Sequence, residues 1–317
     1  MTSLASEKVS FITVLFDDPI ELALMQLQAH SFIFMQDDII GEIMVVLDGL
    51  SEEEIIGRGI SDKILNCYPF ALRSLVSINS SNSMLSSSPH RQSWFNQQAI
   101  KILAASISKY RYSVILDAKN HFFKHVSVES LFPNNKPQYF LEKHSPEMLH
   151  YYANVLEFFG GEDPHHGILH KIQTVTPFIF ENSIIRSMIS YINKREGVSL
   201  AETMHNSRIT EFFSYFIYGS SILADSSSFF ESISLDGQHT ACTIGACNPK
   251  DNPWNSLESR LALISKNESI LVFGVHRKAI SFLDSEYKKG LLDFYRTTYG
   301  GIVESFVASN ILQLPAS

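Results

Sequence analysis

The stretch "RYSVILDAKNHFFKHV", Arg111 to Val126, decides how this chain folds. Val114-Ile115-Leu116 is an apolar run that stops on Asp117, and a cation, an amide and an imidazole follow at once in Lys119, Asn120 and His121. A short β-branched run bounded by polar residues predicts the end of a buried strand opening into a site. A strand-end turn with a solvated lysine explains the same residues, so the neighbouring segments must separate the two.

Those segments repeat the pattern. "VSFITVLF", Val9 to Phe16, is rich in β-branched and aromatic residues and predicts a buried strand. Asp17-Asp18-Pro19 then supplies an Asp cap and a first-turn proline for a helix carrying Leu22, Met25, Leu27, Ala29 and Phe32. "EIMVVLDG", Glu42 to Gly49, predicts a second buried strand, and "LRSLVSI", Leu72 to Ile78, a weaker third. A Ser/Asn-rich tract, Asn79 to Arg91, has loop composition. "QSWFNQQAIKILAASISKY" predicts a helix with Phe95, Ala99, Leu103 and Ala104 on one stripe, while Gln97, Gln98 and Lys101 face either a cleft or solvent.

Strand alternating with helix predicts an α/β fold with a mostly parallel sheet. Ligands of such sheets sit beyond the carboxyl ends of the strands. Asp17, Asp48 and Asp117 each fall just past such an end. Any one of them explains itself as a helix cap, but three on successive strands point to a shared cleft.

The second half is more mixed. Ser145-Pro146 predicts the start of a helix through "EMLHYYANVLEFFG", stopped by Gly160-Gly161. "KIQTVTPFIF", Lys171 to Phe180, reads as a strand broken by Pro177, and Asn182 as the cap of "SIIRSMISYINKR". "SRITEFFSYFIYG", Ser207 to Gly219, predicts a helix with Glu211 in its opening turns, and "ESILVFGVHRK", Glu268 to Lys278, a late buried strand ending in a basic cluster. Without a repeat or a strong linker, residues 1–317 read as one domain with an elaborated C-terminal half.

Composition bounds the function. At 317 residues, 45% hydrophobic and 18% charged, the chain can bury a sizeable core. The net charge of −8 supplies no basic excess to displace phosphate counterions, which argues against nucleic acid as a partner. It leaves room for a small phosphorylated ligand at a local positive site. Three cysteines cannot all pair within one chain, and Cys242 and Cys247 are spaced too widely for a CxxC redox pair. Reduced cysteines, with no apolar leader in "MTSLASEKVS" and no apolar run of about 20 residues, lead us to expect a cytoplasmic protein, with peripheral membrane contact left open. The pair His165-His166 with Glu162 and Asp163 offers either a metal-binding loop or a plain loop. There is no P-loop, GxGxxG, GxSxG or HExxH, which argues against an NTPase, a dinucleotide dehydrogenase, an α/β-hydrolase and a zincin.

An ordered set of segments carries a resemblance: "FITVLFDDPIELALMQLQAHS", "WFNQQAIKILAA", "VILDAKNHFF", "TPFIFENSII", "ITEFFSYFIYG" and "VFGVHRKA". Together they resemble glycosyltransferases of the GT-A fold and, more specifically, an uncharacterised bacterial family of glycosyltransferase-like proteins associated with surface polysaccharide loci. The resemblance implies a GT-A-like (Rossmann-like) mixed, mostly parallel sheet flanked by helices. Residues 1–126 would form the donor nucleotide-binding half and 127–317 the acceptor-binding half. It implies a nucleotide-sugar donor, a glycan or lipid-linked glycan acceptor, and a role in capsule or lipopolysaccharide assembly at the inner face of the membrane. A catalytically inactive GT-A-like glycan-binding or assembly-partner protein is the alternative.

The resemblance also implies roles. Transfer leaves negative charge on the departing phosphate and, in an inverting reaction, needs a carboxylate to deprotonate the acceptor hydroxyl. Many GT-A enzymes hold a divalent metal at a DxD motif, but here the slot reads Asp117-Ala118-Lys119, one carboxylate and one ammonium. Lys119 is therefore expected to neutralise leaving-group charge without metal, with Mn or Mg as the alternative cofactor. Glu211 is the expected base, or else a first-turn helix carboxylate. Asp17, Asp48, Asp117, Asn120, His276 and Arg277 are expected on the donor, though three polar residues after a strand are also ordinary loop chemistry for the His276 cluster; Thr176 and Phe178 are expected on the acceptor, and a core phenylalanine beside a strand-breaking proline explains that pair as well.

Overall fold

A computed structural model describes residues 7–85, 93–163, 170–223, 231–233, 241–245 and 256–312. His165, His166 and Cys247 lie outside the described residues.

Strands are numbered in chain order: β1 Val9–Phe16, β2 Ile40–Asp48, β3 Val76–Ser80, β4 Tyr112–Asp117, β5 Asn120–Phe122, β6 Gln138–Lys143, β7 His170–Ile172, β8 Phe178–Glu181, β9 Glu231–Ile233, β10 Ala241–Ile244 and β11 Val272–Val275. The central sheet has five strands in the order β3-β2-β1-β4-β8. The first four run parallel and β8 is antiparallel to β4. A fold of mixed α/β class with a mostly parallel central sheet flanked by helices is what the alternating pattern predicted.

Both faces of the sheet are covered, so β1 carries apolar side chains on each side. Val9, Phe11 and Leu15 join one core with Leu24 and Leu27 of the helix Pro19–Ser31 and with Phe32 just after it. Ile12 and Val14 join the other, with Ile100 and Ala104 of the helix Trp94–Ile107 and Phe178, Phe180 and Phe212 from the second half. The strand order reverses between β1 and β4, where chain connections diverge and a crevice opens at the carboxyl ends. Val14 lies opposite Asp117 there.

The helix stops and starts follow local chemistry. Asp18 accepts from the backbone N–H of Ile20 and Glu21, with Pro19 next, as the cap reading predicted. Ser145 caps Pro146–Phe159, which ends on Gly160 at φ 63°, in the left-handed region that favours glycine. Other boundaries move. The weak third strand starts at Val76, because Phe70–Leu75 is a 3-10 turn. The segment Lys171–Phe180 is two strands in different sheets, β7 and β8, since Pro177 has no N–H to donate to a ladder. Asn182 does not cap its helix: it is the first helical residue, and its amide donates to the Tyr110 carbonyl at 2.8 Å. The helix Trp94–Ile107 is buried on more sides than the expected stripe, and Phe95 and Leu103 are only half-buried.

Two small sheets complete the frame, β10-β11-β5 and β7-β6-β9. The first matters most. β11 pairs antiparallel with β5, setting Gly274 opposite Asn120, and so delivers the segment from His276 onward to the residues just after Asp117. Among the described residues, no helix is long and apolar enough to cross a membrane.

Candidate functional site

A cleft of about 430 Å³ opens at the crevice between β1 and β4. Its lining includes Asp117 and Lys119 from the end of β4, Trp94, Gln97, Gln98 and Lys101 from one helix face, Glu211 and Phe212 from the helix Glu211–Ile217, and His276, Arg277 and Lys278 after β11. Segments far apart in sequence thus meet at one place.

Lys101 is the hub. Its Nζ stands 3.1 Å from Asp117 Oδ1 and 3.3 Å from Glu211 Oε1, with only 8% of the side chain exposed. The ammonium also lies 5.3 Å from the centre of the Phe212 ring. Burial works against this charge, but the two carboxylates outweigh it and hold Lys101 above the ordinary lysine range. Burial would likewise raise Asp117, yet Lys101 and Lys119 together hold it well below the usual carboxylate range. Lys119 Nζ donates to the second oxygen, Oδ2. Asp117 is therefore an ionised group with an ammonium on each oxygen.

Glu211 differs. Burial pushes its carboxyl up, and the pull of Lys101 does not fully offset this. The side-chain amide of Gln98, oriented to satisfy both its ends, donates to both oxygens of Glu211, at 2.7 Å to Oε1, and accepts from the Trp94 indole N–H at 3.2 Å. A buried carboxyl with raised pKa, next to a cleft, has the properties of a proton acceptor.

The backbone of Asp117 is fixed from behind. Its carbonyl accepts from Gln28 Nε2 at 2.7 Å, and Gln28 in turn accepts from Thr13 Oγ1 at 2.7 Å. Its N–H donates to Asn120 Oδ1 at 2.7 Å, and the same oxygen accepts from Thr176 Oγ1 at 2.6 Å. Asn120 and Thr176 are both buried and lie outside the cleft lining, where they clamp the turn that presents Asp117 and Lys119. Gly274 tightens the same turn. A Cβ there would stand 2.8 Å from the Lys119 carbonyl oxygen. We expect Gly274→Ala to push the Lys119 turn away and lower stability by about 1–3 kcal/mol, readable as a reduced unfolding midpoint in urea.

The basic cluster after β11 carries less free charge than its sequence suggests. His276 Nδ1 accepts from the Lys278 N–H and caps the short helix Arg277–Ile280. Burial first, and then the Lys119 and Lys278 charges, push His276 down to about 4, so it is neutral at pH 7. Arg277 pairs with Asp18 at 2.8 Å and Glu21 at 3.3 Å. Lys278 is exposed at the rim. Across the lining, Lys101, Lys119, Arg277 and Lys278 face Glu21, Asp117 and Glu211, an excess of one positive charge in a chain whose net charge is −8.

Of the residues singled out from the sequence, Asp117, Lys119, Glu211, His276 and Arg277 line the cleft, whereas Asp17, Asp48, Asn120, Thr176 and Phe178 do not. Asp17 forms a two-pronged ion pair with Arg58 at 2.7 and 2.8 Å. Asp48 is buried and accepts from Ser81 Oγ at 3.1 Å. Phe178 is fully buried, stacked on Phe212 with centroids 4.3 Å apart, so its ring has no face to offer a ligand. Sequence reasoning passed over Trp94, although Trp94, Gln97, Gln98 and Lys101 share one helical face by their i, i+3, i+4, i+7 spacing.

A resident divalent metal does not suit these residues. Both oxygens of Asp117 already face ammonium groups, and Glu211 shares one of them. A dication at Asp117 would stand beside two positive charges without a second free carboxylate. Among the described residues, no group of three or more His, Cys, Asp or Glu side chains is placed to hold a metal ion. Asp163, which the sequence sets near His165-His166, is paired with Lys171 at 2.7 Å and Tyr152 at 2.6 Å.

A polar cleft at the switch point of a mixed α/β sheet is the class of site this fold defines. The chain belongs to the family of unknown function DUF6492, whose pattern matches residues 23–257. No curated protein matches it. The chain is similar to glucosyl-3-phosphoglycerate synthase from Mycobacterium tuberculosis in complex with Mn2+, UDP-glucose and phosphoglyceric acid, at 12% identity and TM-score 0.25 over 37% of this chain and 35% of that one. It is similar to the WbbM bifunctional glycosyltransferase at 9% identity and TM-score 0.41, over 100% of this chain and 53% of that one. It is also similar to mouse xyloside xylosyltransferase 1 at 8% identity and TM-score 0.41, over 84% and 97%. The chain spans about a third of the length of the first solved structures it matches, 32% and 35%. These likenesses assign no residue a role.

Proposed function

We propose that this protein is a nucleotide-sugar-dependent glycosyltransferase that moves a sugar to a glycan acceptor without a resident metal. The observation that carries the reading is the paired arrangement in one cleft of a lysine at the strand end, Lys119, and a buried carboxyl of raised pKa, Glu211, joined through Asp117 and Lys101. Inverting transfer needs both. The bond from the anomeric carbon to the phosphate oxygen breaks, and the electron pair leaves with the nucleoside diphosphate, where Lys119 and Lys278 neutralise the charge. The acceptor oxygen bonds to the anomeric carbon, and its proton passes to Glu211. Lys101 fixes the Glu211 carboxyl and opposes part of the rise that burial imposes on it. Asp117 orients Lys119 and, on that reading, the donor ribose or sugar. The placement in bacterial surface-polysaccharide assembly, on the cytoplasmic side of the membrane, rests on the segment resemblance alone.

Thermal stability with a panel of UDP-, GDP-, CDP- and dTDP-sugars is the test, because a ligand that binds only the folded state stabilises it by about 2.7 kcal/mol at a hundred times its Kd. At least one donor should shift the midpoint, and its consumption with a glycan acceptor should persist in excess chelator. No shift with any donor would remove the transfer reading in favour of the inactive glycan-binding alternative. Activity lost to chelator and restored by Mn or Mg would leave transfer standing and overturn the metal-free part.

A further inference from the structure

We propose that the indole of Trp94 is the floor of an acceptor subsite that takes the apolar face of a pyranose ring, so that the acceptor end is itself a sugar. The proposal rests on the transfer reading for the role of Glu211, but the subsite is argued from its own geometry. Trp94 is a large aromatic side chain left 42% exposed, and it lines the polar cleft. Its ring is held from other sides by Phe95 at 5.2 Å and Tyr151 at 5.4 Å, and these two contact each other at 5.9 Å. The indole N–H is held by Gln98, whose amide lies on Glu211. Trp94 is therefore a rigid, partly bare apolar surface linked through a single side chain to the candidate base.

That combination suits a sugar better than other ligands. A pyranose presents a face of C–H groups and a rim of hydroxyls, and an aromatic ring with polar neighbours offers the matching surface. Gln97 and Thr174 also line the cleft and supply an amide and a hydroxyl for the rim. A ring resting on Trp94 would bring one hydroxyl toward Glu211, which stands one amide away. The phosphate-facing lysines belong to the strand-end and β11 side of the cleft, which leaves the Trp94 side for the second substrate.

The chain has two tryptophans, Trp94 and Trp254, so Trp254→Phe leaves Trp94 as the sole indole reporter. That full-length variant is titrated with soluble oligosaccharides of glucose, galactose and N-acetylglucosamine, and separately with UDP and GDP. We expect at least one saccharide to change the Trp94 emission. Calorimetry on the otherwise native chain should show its binding roughly tenfold weaker in Trp94→Ala and largely kept in Trp94→Tyr. Unchanged affinity in Trp94→Ala overturns the subsite, as does the absence of any saccharide effect. A nucleotide that alone perturbs Trp94 also overturns it, because the indole then serves the base. A saccharide response in a chain that binds no nucleotide sugar upholds the subsite and removes the transfer reading instead.

Discussion

Lys101→Met should lower the stability of this protein by about 3–5 kcal/mol, the range for removing one partner from a buried ion pair. The Lys101 side chain is 8% exposed and that of Glu211 2%, so neither charge has water to fall back on. Asp117 keeps Lys119 on its other oxygen, and the group left without a counter-charge is Glu211. Its carboxyl, already raised by burial, must rise further once the lysine that opposes that rise is gone. A group whose folded pKa is raised binds more protons in the folded state, so stability grows as pH falls from above that pKa toward the unfolded value. The deficit of Lys101→Met should therefore be largest near pH 7 and shrink toward pH 5. Adding Glu211→Gln to Lys101→Met should recover part of the loss, giving a coupling of about 0.5–3 kcal/mol in the double-mutant cycle. Urea denaturation of the four proteins at both pH values measures all of this. A Lys101→Met chain as stable as the parent at pH 7 would mean that the ammonium is not the link between the two carboxylates.

What the sequence reveals about this site depends on how local the signal is. β1 coincides with Val9–Phe16, and the Asp18-Pro19 start was readable, because residue type and adjacent backbone alone determine them. Asp117 and Lys119 stood out for the same reason: an apolar run ends on charge within three residues. The polarity of the cleft was not legible. Arg277 looks like a free cation beside Lys278, yet carboxylates 259 residues earlier in the chain neutralise it at Asp18. Asn120 and Thr176 have the chemistry of ligand-binding residues, but 56 residues apart they bond to each other. Phe178 reads equally well as a sugar platform or as core, and only the stack on Phe212 decides its burial.

The helix before β4 shows the opposite failure. Its apolar residues drew the stripe, while the polar side chains carried the site. Gln98 and Lys101 are buried, as a solvating face would not be, and they are tolerated because Asp117, Glu211 and Trp94 satisfy them. Lys101 and Glu211 are 110 residues apart, and no local pattern couples such a pair. A lysine three residues past Gln98, at the head of the apolar run Ile102-Leu103-Ala104-Ala105, was the available signal, and it marks a buried charge only when the helix is known to be covered on that face.

Glu211→Gln should reduce turnover by about 10²–10⁴-fold while leaving donor binding nearly unchanged, since the proton acceptor is lost but the phosphate-facing lysines are not. Glutamine matches glutamate in shape, and Lys101 keeps Asp117 as a partner, so the variant should stay folded. The pH profile separates a base from a structural carboxylate. Burial raises the Glu211 carboxyl above the ordinary glutamate value of 4.5, so on the proposed transfer reading the parent chain should lose turnover as pH falls, on an acid limb whose midpoint lies above 4.5. Asp117, held well below the usual range, stays ionised through that window and contributes nothing to the limb. His276, at about 4, is already neutral over most of it. Residual turnover in Glu211→Gln should then be flat across the same pH range. A variant that keeps near-parental turnover, or that retains the acid limb, would exclude Glu211 as the base and leave its carboxyl as the partner that holds Lys101 in place.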